Sequence, residues 1–210
     1  MKKPKLVIID YGVGNVFSIF NSLDKLGLCR VEVSSTESQI KSADALILPG
    51  VGAFEACLEN FQKNGLMSFV GEAVQIKKKP ILGICVGMQL MANYSEENGR
   101  HQGLGWIPGQ VVKINNDGSF PVPHVGWNNV KIKKNGALFS RLSDSPHFYF
   151  DHSYHFACED EHGIATCDYG IELTAAIAHQ NIFGVQFHPE KSQLNGLRLF
   201  RGFLNVVIAC

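Results

Sequence analysis

No stretch of this sequence approaches the roughly 18 consecutive apolar residues that a bilayer-crossing helix needs. In MKKPKLVIIDYGVGN the apolar run that follows the lysines is ended by Asp10, well short of a signal-peptide core. No membrane span and no export signal are therefore expected, and the chain is expected to be cytoplasmic. Charge of one sign is not in excess either. The 19 basic residues balance the 19 acidic ones, which removes the electrostatic reason to expect a nucleic acid or an anionic membrane as partner. Six cysteines, at 29, 57, 85, 158, 167 and 210, include no CxxC pair and no framework spacing. They are expected as reduced thiols, mostly small buried hydrophobes, and no metal or cofactor is expected. Internal repeats, low-complexity tracts and linker-like stretches are also missing. A chain of 210 residues can bury about 70% of the surface its unfolded form exposes, so residues 1–210 are expected as a single domain.

The first half alternates short apolar runs with amphipathic segments, the pattern of βα units in a parallel sheet. KLVIID, RVEVS, ALILPG and PILGI read as strands. Val16, Ile19, Phe20, Leu23 and Leu26 recur at helical spacing before Gly27, a short helix is expected over 36–42, and two more near 53–63 and 65–77. From Trp106 the texture changes to strand-like pieces separated by Pro-, Gly- and Asn-rich loops: IPGQVVKI, NNVKI, HFYF, YHFAC, GIATC, LTAAIA and IFGVQF. The expected fold class is α/β, a central, mostly parallel sheet flanked by helices with additional antiparallel strands in the C-terminal half. The closing segment predicts a helix whose apolar face is Leu197, Phe200, Leu204 and Val207.

Cys85 stands in LGICVGMQLM between Gly83 and Gly87, at the end of an apolar run and before a helix-like segment. A strand that turns sharply into a helix needs small residues two before and two after the corner, and it displays the corner side chain above the sheet edge. Unpaired N–H groups and the helix dipole there favour a thiolate, and the Val86 N–H can hold an oxyanion. The same GxCxG pattern also fits an inert buried cysteine, so a base must be found. FGVQFHPEKS supplies one: Pro189 keeps His188 extended, and Glu190, two residues on, is expected on the same side of an extended segment. A carboxylate so placed orients an imidazole as general base and acid. The loop LPGVGAF after the third strand should share a rim with Cys85, because ligands of open α/β sheets bind beyond the strands' carboxyl ends. Gly50 and Gly52 let its backbone approach a ligand or reverse a peptide.

GxCxG after the fourth strand, PGxG after the third and HPE before the last helix are together similar to the class I (triad) glutamine amidotransferases, over essentially the whole chain. DYGVGN (10–15), GLGWIPGQVV (103–112), PHVGWN (123–128) and HSYHF (152–156) narrow this to a resemblance to the glutaminase subunits of imidazole glycerol phosphate synthases. The resemblance implies that Cys85 attacks the carboxamide of L-glutamine, that His188, oriented by Glu190, moves the proton, and that the N–H groups of Val51 and Val86 form the oxyanion hole. It implies that Gln89 and Glu97 hold the amino-acid end of the substrate and that backbone near Ser153 and Tyr154 closes over its carboxylate. It also implies a (β/α)8-barrel synthase partner that receives the ammonia, with Asn15, Trp127, Tyr149 and Lys191 at or near the shared face. DYGVGN, GLGWIPGQVV and PHVGWN are expected to cluster near the strands' carboxyl ends. Two residues depart from the pattern: Asp151 stands where an apolar residue is more frequent, and Val125 replaces a frequent methionine. These departures bear on the partner, leaving open a paralogous amidotransferase that serves a sugar-aminating synthase. A non-catalytic module on the same fold and a thiol hydrolase or protease are the remaining alternatives.

Overall fold

The computed structural model describes residues 3–209, so Cys210 lies outside the described residues. The four apolar runs of the first half form β1 (Lys5–Ile9), β2 (Arg30–Ser34), β3 (Ala45–Leu48) and β4 (Ile81–Ile84). β1, β3 and β4 are buried along their whole length, as unbroken aliphatic runs covered on both faces must be. α1 (Val16–Leu26) buries Val16, Ile19 and Leu23 and stops at Gly27, whose φ of 64° is the left-handed conformation of a helix end. α2 (Glu37–Ser42), α3 (Phe54–Lys63) and α4 (Leu66–Gly71) follow, and α4 runs on into a π-helical turn over Glu72–Ile76. The corner after β4 opens α5 (Val86–Gln89), and the chain ends in α6 (Gln193–Ala209).

The second half contributes β7 (Gln110–Lys113), β8 (His124–Asn129), β9 (Lys131–Ile132), β10 (His147–His152), β11 (Tyr154–Ala157), β12 (Gly163–Asp168), β13 (Glu172–His179) and β14 (Ile182–Val185). One eight-stranded sheet runs β2-β1-β3-β4-β14-β13-β12-β9. Its first five strands are mutually parallel, and β13, β12 and β9 are antiparallel additions. β14 is thus the seam between the halves. It was grouped by sequence with the antiparallel pieces, yet it pairs parallel with β4 as well as antiparallel with β13. Because β3, β4 and β14 are parallel neighbours, their carboxyl ends open on one rim, where the next residues are Pro49–Val51, Cys85 and Gln186–His188.

Two short strands, β5 (Tyr94–Ser95) and β6 (His101–Gln102), escaped the sequence reading; they complete a separate sheet, β11-β7-β5-β6. The apolar face of α6 is centred differently from expectation. Leu199, Phe200, Phe203, Leu204 and Val207 are buried whereas Leu197 is half-buried, because α6 packs through a stripe one residue further round. GLGWIPGQVV does not join the rim either. Trp106 and Ile107 donate their N–H groups to Met91 O at 2.9 and 3.0 Å, so this segment is tied to the chain just after α5, and none of it lines the cleft over Cys85. No helix among the described residues is long and apolar enough to cross a membrane.

The corner itself depends on two glycines. A Cβ on Gly83 would lie 2.7 Å from Gly87 O, and one on Gly87 would lie 1.9 Å from Leu48 O. Both obstacles are backbone atoms that cannot rotate away. Gly87→Ala is therefore expected to destabilise the fold by about 3 kcal/mol or more, since overpacking beyond what side chains can absorb must shift β3 against β4. Urea unfolding of the two proteins checks this, and an unchanged midpoint would mean that β3 gives way without cost.

Candidate active site

Cys85 adopts φ 54°, ψ −115°, a strained conformation of the kind that persists where surrounding structure over-determines it. Its N–H donates to Val185 O at 2.8 Å, and its carbonyl accepts the N–H groups of Met88 and Gln89 at 3.0 and 3.2 Å. Those bonds close the first turn of α5 behind the thiol and leave the Val86 N–H ahead of it. The expected helix after the corner is only the four residues of α5. Local N–H groups and nearby side chains, rather than a long helix dipole, must therefore stabilise charge on the sulfur.

One of those side chains is His188, which hydrogen-bonds Cys85. Its N–H donates to Tyr149 O at 2.8 Å, which anchors the residue across from β10. Its Nδ1 lies 2.8 Å from Glu190 Oε1, with the two side chains only 3% and 0% exposed. Sequence placed both residues on one extended segment. In the structure His188 is extended, but Pro189–Lys191 form a 3-10 turn, and it is this turn that folds Glu190 back against the ring. Burial by itself would push the His188 pKa down. Hydrogen bonding to Cys85 and then to Glu190 outweighs burial and raises it to about 10. Below that pH the imidazole keeps its second proton beside the Cys85 sulfur: a proton donor for a leaving group next to a nucleophile.

A cleft of about 390 Å³ opens over the thiol, lined by Val51, Gly52, Cys85, Val86, Gln89, Glu97, Ser153, Tyr154, His188 and Lys191 from the sequence-derived candidates, together with Pro123, Asp151 and His152. Gly50 sits behind this lining, where a Cβ would lie 2.5 Å from Gly87 N. Its lack of a side chain lets the β3 loop rest on the corner. Tyr11 fixes the same loop by donating its hydroxyl to Pro49 O at 2.5 Å. Glu97 Oε2 accepts the Phe54 N–H at 2.8 Å, capping the start of α3 while facing the cleft. Gln89 is buried, and its Nε2 donates to Tyr154 O and to Gln186 Oε1, both at 2.9 Å.

Comparison with known proteins identifies the family. The family model of glutamine amidotransferase class-I matches residues 7–206. The chain belongs to the class-I glutamine amidotransferases. It is 48% identical to imidazole glycerol phosphate synthase subunit HisH 2 of Vibrio vulnificus, covering 97% of this chain and 95% of that one. It is 44% identical to imidazole glycerol phosphate synthase subunit HisH of Leptospira interrogans, covering 95% and 98%. A glutamine amidotransferase from Thermotoga maritima shares the fold, with a TM-score of 0.69 at 16% identity and full coverage of both chains.

Around this amidotransferase cleft lie the candidates placed near a partner. In the β8–β10 pair, Tyr149 sits opposite Trp127 and Asp151 opposite Val125. Alternation puts these four on the outer face, where Trp127 and Val125 are 46% and 53% exposed. Lys191 Nζ stands 5.2 Å from the centre of the Tyr149 ring and 3.8 Å from Asp151 Oδ2. Asn15 is placed differently: half-buried at the start of α1, its Nδ2 is 3.4 Å from Glu190 Oε1, so it also touches the carboxylate that His188 bonds. Sequence reasoning missed Gln186, whose Nε2 approaches Cys85 Sγ at 3.8 Å. Its signal was available, because 186 and 188 are two apart on an extended run. None of the other described cysteines lines the cleft, although Cys57 Sγ donates to Val51 O at 3.3 Å just behind it. Burial pushes the Cys29 and Cys57 thiols up to about 11 and Cys167 up to about 12.

Proposed function

We propose that this chain is the glutaminase subunit of an imidazole glycerol phosphate synthase. It hydrolyses L-glutamine to glutamate and ammonia and hands the ammonia to a (β/α)8-barrel synthase in histidine biosynthesis. The observation that carries the reading is the joining, at one sheet rim, of a strained buried cysteine with a histidine bonded at 2.8 Å to a buried glutamate. In this reading the Cys85 thiolate attacks the carboxamide carbon, and the oxygen's developing charge is held by the N–H groups of Val86 and Val51. Gly50 and Gly52 let the Val51 peptide turn toward it. The C–N bond then breaks, the nitrogen takes the His188 proton and leaves as ammonia, and a γ-glutamyl thioester remains on Cys85. His188, now neutral, takes a proton from water, whose oxygen attacks the thioester; glutamate leaves and the thiolate–imidazolium pair is restored. Glu190 keeps the ring in the Nδ1–H tautomer throughout. Glu97 supplies negative charge for the substrate's ammonium, Gln89 a free Oε1 acceptor, and the Ser153–Tyr154 backbone a wall for its carboxylate.

The chain is proposed to work as one cytoplasmic domain, with no nucleic acid or membrane as partner. Trp127, Tyr149, Lys191 and Asn15 are proposed to meet or border the barrel. What supports this is the exposed apolar and aromatic surface beside the cleft mouth, with Val125 and Trp127 half open to solvent; apolar patches of this kind mark docking faces. A second reading, an amidotransferase feeding a sugar-aminating synthase of surface-polysaccharide synthesis, is favoured by Asp151, which pairs with Lys191 at 3.8 Å on that face. Complementation separates the two. In a histidine auxotroph lacking its own glutaminase subunit, with the cognate barrel supplied, this chain is expected to restore growth on low ammonium. No growth, with soluble protein present, would transfer the assignment to the sugar pathway and leave the glutaminase chemistry standing.

A further inference from the structure

Beside the cleft, with His152 on its lining, lies a buried hydrogen-bond chain whose two imidazoles the proposed chemistry does not use. His124 Nδ1 is 3.0 Å from His152 Nε2, His124 Nε2 is 3.2 Å from Asn128 Nδ2, and His152 Nδ1 is 2.9 Å from Tyr154 O. The protons can be assigned from either end. Tyr154 O is a carbonyl and only accepts, so His152 Nδ1 must carry the hydrogen and Nε2 must be bare; His124 then donates from Nδ1 and is bare at Nε2. From the other end, Asn128 Nδ2 donates to Asp168 O at 2.8 Å while Asn128 Oδ1 takes the Asn129 N–H at 2.8 Å. That fixes the amide so that Nδ2 is the atom offered to His124 Nε2. Two independent backbone anchors therefore demand the same tautomers, and no member of the chain is left unpaired.

Beyond Tyr154 O the chain continues to the nucleophile. The same carbonyl accepts Gln89 Nε2, which also donates to Gln186 Oε1, whose Nε2 in turn faces Cys85 Sγ. Both imidazoles are 6% exposed or less. His124 is clasped between the rings of Phe150 and Tyr169, at centroid distances of 4.6 and 3.9 Å. Burial pushes the His124 pKa down to about 4 and that of His152 down to about 3, the latter against the bond to Tyr154 O and with the help of His124, His155 and His188 around it. A cation has no acceptor to serve in this chain, since Nε2 of each ring must receive a proton rather than give one.

We infer that His124 and His152 are positioning residues, two neutral Nδ1–H imidazoles that hold the Tyr154 carbonyl, and through it Gln89, in place as the wall of the glutamine site. The inference rests on the glutamine reading proposed above. It follows that the inner face of the β8–β10 pair, whose outer face carries Trp127 and Val125, is tied by hydrogen bonds to the substrate wall. His152→Leu leaves Tyr154 O with one donor, and His124→Leu leaves His152 Nε2 without its partner. His124→Asn keeps a donor where Nδ1 was.

In the full chain assembled with its synthase partner, His152→Leu and His124→Leu are expected to raise the KM for glutamine about ten-fold, the effect of one buried hydrogen bond, with kcat within about three-fold. His124→Asn is expected to bring KM back. Alkylation of Cys85 by iodoacetamide, which needs no glutamine wall, should proceed at the parent rate. Nitrogen NMR of the unaltered protein should show Nδ1–H and bare Nε2 in both rings, unmoved between pH 5 and 9. An Nε2–H tautomer in either ring overturns the inference without recourse to any variant. So does an unchanged KM in folded His152→Leu. Absence of glutaminase activity in the unaltered complex would instead count against the glutamine reading, with the tautomer result standing on its own.

Discussion

Glutamine hydrolysis is expected to fall by roughly 10⁵- to 10⁶-fold when Cys85 is replaced by alanine, the scale on which loss of a nucleophile in a catalytic triad is felt. Synthesis by the partner from free ammonium should be unaffected, because the two half-reactions then occupy different chains. No other described cysteine can take over. Burial pushes the Cys29 and Cys57 thiols up to about 11 and Cys167 up to about 12, it raises Cys158 as well, and none of the four lines the cleft. Both activities should be measured in the reconstituted complex. Glutamine-dependent turnover that survives in the alanine variant would remove Cys85 as nucleophile.

Glu190→Gln should cost roughly 10³- to 10⁴-fold in kcat/KM, with a change in shape as well as height of the pH profile. The amide can offer a donor where His188 Nδ1 needs an acceptor, which favours the wrong tautomer. It also removes one of the two partners, Cys85 and Glu190, that hold the His188 pKa at about 10 against burial. The alkaline limb of activity, where the proton for the leaving ammonia is lost, should therefore move to lower pH. Stability carries the same signature. A histidine raised to about 10 in the fold, against about 6.5 in the unfolded chain, contributes fully below the lower value and loses that contribution as pH rises through the upper one. Urea midpoints at pH 6 and pH 9 should differ more in the parent than in the variant. An unmoved alkaline limb with activity within ten-fold of the parent would exclude Glu190 as the group that orients His188.

What could be read from sequence was what is local. Gly83, Cys85 and Gly87 report a corner because the steric demand of that turn is met within five residues, and the structure shows the close backbone contacts behind it. The aliphatic runs of β1, β3 and β4 announce burial on both faces for the same reason. The turn that brings Glu190 to His188 was not legible, since HPE fits an extended segment equally well and only the packing of α6 and β10 decides. Asn15 reaches Glu190 Oε1 across 175 positions of sequence, and His124 reaches His152 across 28; contacts of this separation leave no periodic trace. The relay did have one partial signal, the alternation of His124 and Asn128 with Val125 and Trp127 along β8.

The seam between β4 and β14 has a consequence for how the molecule is made. Ile81 pairs with Ile182 and Ile84 with Val185, so about a hundred residues must be looped out before the cysteine corner acquires its histidine. Closing a loop of that size costs about 4 kcal/mol in chain entropy beyond a constant, and pairings so distant in sequence form slowly. A nascent chain that has emerged only as far as α5 would hold an ordinary thiol with no imidazole beside it. Activation waits for nearly the whole polypeptide, so a reactive sulfur is not exposed during synthesis but appears together with the walls that enclose it.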